Sequence, residues 1–132
     1  MMAARTKFTS DDILLAALAE IRASGLDGAS VAAIGRRLGA PSGSIYHRFP
    51  SRQHLLGALW VSIATSYREA LRISPTEPVY LRALAELLVD RKGSPQHAQE
   101  LDEAMVLARR AVALGPERAS NHITLGYVAS AT

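Results

Sequence analysis

Ser42, Gly43 and Ser44, followed closely by Tyr46 and His47, gather hydroxyl, amide and ring donors into one short segment. Ser30 stands upstream and Arg52 downstream, each where a helix would begin. Small side chains let a backbone approach the floor of a groove. Hydroxyls, first-turn amides and a guanidinium donate hydrogen bonds to base edges and phosphate oxygens. Neither a nucleophile elbow nor a metal-hydrolase pattern accompanies these residues, so the expectation is not an enzyme. Their chemistry is recognition rather than bond making, and no cofactor is called for.

Charge supports a polyanionic partner. Up to Pro75 the chain carries nine Lys/Arg against five Asp/Glu, and beyond it six against seven. No acidic residue lies between Asp27 and Glu69, a gap that holds Arg36, Arg37, Arg48, Arg52 and Arg68 with His47 and His54. Guanidiniums without neighbouring carboxylates suit a polyanion such as a nucleic acid. An ordinary solvated basic face is the alternative, above all for Arg36 and Arg37.

The elements that must position these residues read as helices throughout. Thr9 or Ser10 caps the first, Asp11 and Asp12 complement its dipole, and Ile13, Leu14, Ala17, Leu18 and Ile21 form its apolar stripe. Gly25 stops it, and Leu26 turns inward. Ser30 caps a second helix with Val31, Ile34 and Leu38 apolar, ended by Gly39. Pro41 opens a third, Ser42 to Arg48, in which Ile45 and Phe49 face inward while Tyr46 and His47 face out. Pro50 stops it. Ser51 caps a long fourth helix through Leu55, Leu56, Leu59, Trp60, Ile63, Tyr67 and Leu71, ending near Ile73.

Residues Ile13 to Trp60 resemble the N-terminal domain of TetR/AcrR-type transcriptional regulators. The likeness rests on Gly25-Leu26, Ser30-Val31, Ala33-Ile34, Gly39-Ala40-Pro41, Tyr46-His47-Arg48-Phe49, Ser51-Arg52 and Leu55-Leu56, in order and without a gap. Arg52 stands where that family more usually has Lys, Ala40-Pro41 replaces Val-Ser, and His54 replaces an acidic residue, removing the usual capping box. The resemblance implies a helix–turn–helix that binds double-stranded DNA as a homodimer, with Ser42, Ser44, Tyr46 and His47 facing the DNA and Gly43 among the DNA-binding residues. It puts Ser30, Tyr46 and Arg52 on phosphates, with Lys7 and Arg5 as a basic arm. A repressor on a near-palindromic operator, switched by a small-molecule effector, is the function it implies.

Other roles are open to several of these side chains. Tyr46 can instead pack half-buried, and Trp60 and Tyr67 suit a core or an interface. His47 and His54 are seven apart, but Pro50 breaks the helix between them and no third ligand is near, so no metal is expected.

The expected fold class is all-α: a three-helix helix–turn–helix bundle with a long fourth helix over residues 8–74, then a short helical region over 75–132. After a break at Thr76 to Pro78, helices run Val79 to Arg91, about His97 to Leu114 and Ala119 to Ala131. Ala104, Ala108, Ala111 and Pro116, then Leu125-Gly126, resemble a tetratricopeptide repeat. That likeness supports an alternative function, a helical protein–protein interaction module using this tail.

The absence of cysteine excludes disulfides, thiolate metal sites and cysteine nucleophiles, and fits a cytoplasmic setting. Phe8 is isolated and Asp11 and Asp12 interrupt any signal-peptide pattern, and no window reaches the roughly 18 apolar residues of a membrane span.

Overall fold

A computed structural model of the protein describes residues 8–91 and 93–132. Its helices are α1 (Ser10–Gly28), α2 (Val31–Leu38), α3 (Ser42–Arg48), α4 (Arg52–Ile73), α5 (Pro78–Asp90), α6 (His97–Leu114) and α7 (Ala119–Ala131). No strand occurs among the described residues, so the protein is all-α, as its periodicity predicts. Contacts divide the chain into two compact units, Met1–Ser62 and Ile63–Thr132, with the division inside α4.

Local chemistry explains the boundaries in the first unit. Thr9 caps α1 in a reciprocal box: the Asp12 amide donates to Thr9 Oγ1 at 3.1 Å, and the Thr9 amide donates to Asp12 Oδ2 at 2.9 Å. Donation from Thr9, its amide first and its side chain next, holds the Asp12 carboxyl below the usual carboxylate range. Gly25, at φ 75°, kinks α1 into a short final turn, a conformation that suits a residue without Cβ. Leu26 does not turn inward: it is 55% exposed. The kink directs its carbonyl, rather than its side chain, at neighbouring groups, and that oxygen accepts from the Ala29 amide and from Arg52.

Ser30 caps α2 by accepting from the Ala33 amide at 3.0 Å, and Gly39 closes it in the left-handed region. Pro41 stands at the start of α3, whose seven residues are too few to hold themselves together as an isolated helix. Tertiary packing must do so. Ile45 and Phe49 bury α3 in a core that includes Ile13, Ala17, Ile34 and Leu55.

In the second unit, α6 packs on both α5 and α7. Leu81, Leu84 and Leu88 of α5 and Val128 of α7 are buried, and Ala104, Ala108 and Ala111 give α6 a fully buried small-residue face. Asn121 of α7 is fully buried as well. Its Nδ2 donates to the Ala111 carbonyl at 2.8 Å and the Gly115 carbonyl at 2.9 Å, fastening the start of α7 to the end of α6. Asn121→Ala is expected to lower stability by about 1–3 kcal/mol, because two buried hydrogen bonds are lost, although each carbonyl keeps a main-chain donor. A chemical-denaturation midpoint followed by circular dichroism measures that loss.

Candidate nucleic-acid interface

The sequence-predicted recognition residues lie on one short, firmly seated element. Within α3, Ile45 is completely buried, whereas Tyr46 is 46% exposed and Gly43, Ser44 and His47 are exposed as well. Ser42 is half-buried beside Pro41. The three apolar and polar positions in a row, Ile45, Tyr46 and His47, therefore divide between core and solvent as their helical angles require.

Ser30 is exposed at the start of α2. Its oxygen accepts from Ala33, and its hydroxyl proton is directed by whatever acceptor approaches. Ser51 plays the corresponding part for α4: the His54 amide donates to Ser51 Oγ at 3.2 Å. The His54 ring also returns, its Nδ1 lying 2.7 Å from the same hydroxyl. An imidazole here meets the capping side chain rather than the backbone amide that a carboxylate would take.

Arg52 is engaged inside the protein. Its Nε donates to the Ala29 carbonyl at 3.0 Å and its Nη2 to the Leu26 carbonyl at 2.5 Å. Lys7, and with it Arg5, falls outside the described residues.

The acid-free run in the sequence is not wholly acid-free in space. Arg37 Nε reaches Glu20 Oε2 of α1 at 2.7 Å, and this hydrogen bond holds the Glu20 carboxyl below its usual range. Arg68 makes a two-pronged pair with Glu103 at 3.0 and 2.7 Å. Arg48 donates to Ser10 Oγ at 3.3 Å. Arg36 is exposed, and among the described residues no salt bridge links it to a carboxylate.

Sequence reasoning overlooked Gly35. It is buried in α2, and a Cβ placed there would lie 2.7 Å from the Ala40 carbonyl oxygen and 3.5 Å from Ile45 Cδ1. The turn folds tightly over it, with the Ala40 amide donating to the Gly35 carbonyl at 2.9 Å. The available signal was a glycine in mid-helix, where alanine is intrinsically preferred by roughly 1 kcal/mol.

No helix among the described residues is long and apolar enough to cross a membrane. Neither the curated proteins nor the solved structures provide a match to this chain. A family model does: residues 13–59 match the one described as bacterial regulatory proteins, tetR family.

Proposed function

We propose that this chain, whose residues 13–59 match the family model described as bacterial regulatory proteins, tetR family, is a DNA-binding transcription regulator, a repressor that binds a near-palindromic operator as a homodimer. The observation that carries this reading is the split face of α3. Ile45 and Phe49 seat the helix while Gly43, Ser44, Tyr46 and His47 stand exposed on it. A short helix held this way enters a major groove with its N-terminal residues toward base edges. Ser42 and Ser44 offer hydroxyls, Gly43 permits close approach, and the Tyr46 and His47 ring tips add polar contacts. Ser30 and Tyr46 serve phosphates, with Arg52 contributing through its remaining amino group and Lys7 through the preceding arm.

Two copies related by a two-fold axis would present their α3 helices to successive major grooves about 34 Å apart. A small-molecule effector that binds one spacing of these helices better than another would release the operator.

Fluorescence-anisotropy titration of the full chain against duplex DNA tests the reading. For a complex neutralising about six phosphates, affinity is expected to fall roughly a thousandfold between about 50 and 200 mM salt. Ser44→Ala and His47→Ala are expected to alter sequence preference, by about 1–3 kcal/mol at the affected base pair. Sedimentation mass reports the dimer. Absent or salt-independent binding would overturn the DNA reading, and a strict monomer on DNA would overturn the palindromic one.

A further inference from the structure

The guanidinium of Arg52 ties the first residue of α4 to the junction between α1 and α2. Nε and Nη2 are held by two main-chain oxygens, Ala29 at 3.0 Å and Leu26 at 2.5 Å. These oxygens lie at the C-terminal end of α1, where unsatisfied carbonyls concentrate negative partial charge. The last turn of α1 contains no basic residue of its own. Arg52 therefore provides from a distant position the cation that this helix end lacks. Ala29 is itself completely buried and immediately precedes Ser30, the cap of α2.

We infer that Arg52 is a positioning residue that sets Ser30 and the start of α2 relative to α4, and that DNA affinity depends on its fork as well as on its charge. This inference rests on the proposed DNA-binding reading for its functional consequence. A guanidinium can bridge two carbonyls with rigid, divergent N–H groups. A lysine ammonium carries the same charge on a flexible stem and does not reproduce that planar geometry. Displacement of the α4 start would thereby be transmitted to the Ala29–Ser30 backbone through two hydrogen bonds.

The experiment compares Arg52→Lys, Arg52→Ala and the unaltered full chain. In the free protein, Arg52→Lys is expected to accelerate hydrogen exchange at the Ala29 and Ala33 amides, which are held by Leu26 and Ser30 respectively. In anisotropy titrations, Arg52→Lys is expected to weaken DNA binding about tenfold without reducing the salt slope, since the charge is kept. Arg52→Ala is expected to weaken binding on every duplex. With Ser30→Ala added, the loss caused by Arg52→Lys should shrink, because Arg52 acts on DNA binding through the placement of Ser30 and the hydroxyl it places is then already gone.

Circular dichroism at the titration temperature must show each variant folded, and any that is not is replaced by Arg52→Gln under the same readouts. Wild-type exchange rates in Arg52→Lys would overturn the strut whatever happens with DNA. Wild-type affinity for Arg52→Lys, with a salt slope reduced by about one in Arg52→Ala, would reduce Arg52 to a simple phosphate contact. Failure of the unaltered protein to bind duplex would overturn the DNA reading and the functional half of this inference, while faster exchange in Arg52→Lys would still support the strut.

Discussion

Gly35→Ala is expected to weaken DNA binding at least tenfold while leaving the chain largely helical. The substitution improves intrinsic helix propensity by roughly 1 kcal/mol, so a purely local view expects stabilisation. The tertiary contact opposes it. The new methyl would sit 2.7 Å from the Ala40 carbonyl oxygen, closer than a carbon and an oxygen can approach without movement. Overpacking of this kind costs roughly 1–3 kcal/mol. The obstacle is main chain rather than the tip of a flexible side chain, so relief requires the turn to move. That turn delivers Pro41 and α3, and a recognition element tolerates misplacement of only about 0.5 Å. A tenfold loss corresponds to about 1.4 kcal/mol. Anisotropy gives the affinity and far-ultraviolet circular dichroism the helical content; unchanged affinity would show that the turn relaxes without carrying α3 with it.

Ile45→Ala is expected to destabilise the helix–turn–helix unit by about 2–5 kcal/mol, since it removes most of a fully buried side chain. Few other substitutions in this unit should cost as much, because α3 is too short to persist without its anchor. Ile45→Val should cost about 0.5–1.5 kcal/mol. Denaturant midpoints distinguish the two. Combined with Gly35→Ala, Ile45→Val should not restore DNA binding. The Ile45 methyl lies at an ordinary 3.5 Å from the added carbon, whereas the Ala40 oxygen does not. Restoration would place the obstruction in the core instead of the turn.

Helix boundaries were legible because the groups that set them lie within a few residues of one another. Thr9, Ser30 and Ser51 each accept from an amide three residues onward, and Gly39 terminates α2 in a backbone region open to glycine. The same locality made the α3 face readable: consecutive side chains on a helix diverge by fixed angles, so burying Ile45 exposes Tyr46 and His47. Gly25 was legible as a break, though it kinks α1, which runs on to Gly28, rather than ending it, and the orientation of Leu26 beyond it was not legible. That orientation depends on where the kinked turn points and which distant donor meets its carbonyl.

Long-range partners were not legible. The acid-free interval suggested uniformly available cations, yet Glu20 reaches Arg37 and Glu103 reaches Arg68 from outside it. Asn121 read as an unremarked position in the last helix until burial showed it clamping two carbonyls. Arg52 read as a phosphate contact, and its hydrogen bonds to Leu26 and Ala29 emerge only when α4 meets the end of α1.

By itself, then, the amino-acid sequence determined the helices, the turn and the exposed side of α3, because caps, breakers and apolar periodicity act over one or two helical turns. The tertiary structure alone decided why Gly35 must be small and which of the basic groups near that face are engaged within the protein. Those properties depend on atoms from segments far apart in the chain, brought within a few ångströms by the burial of the apolar stripes.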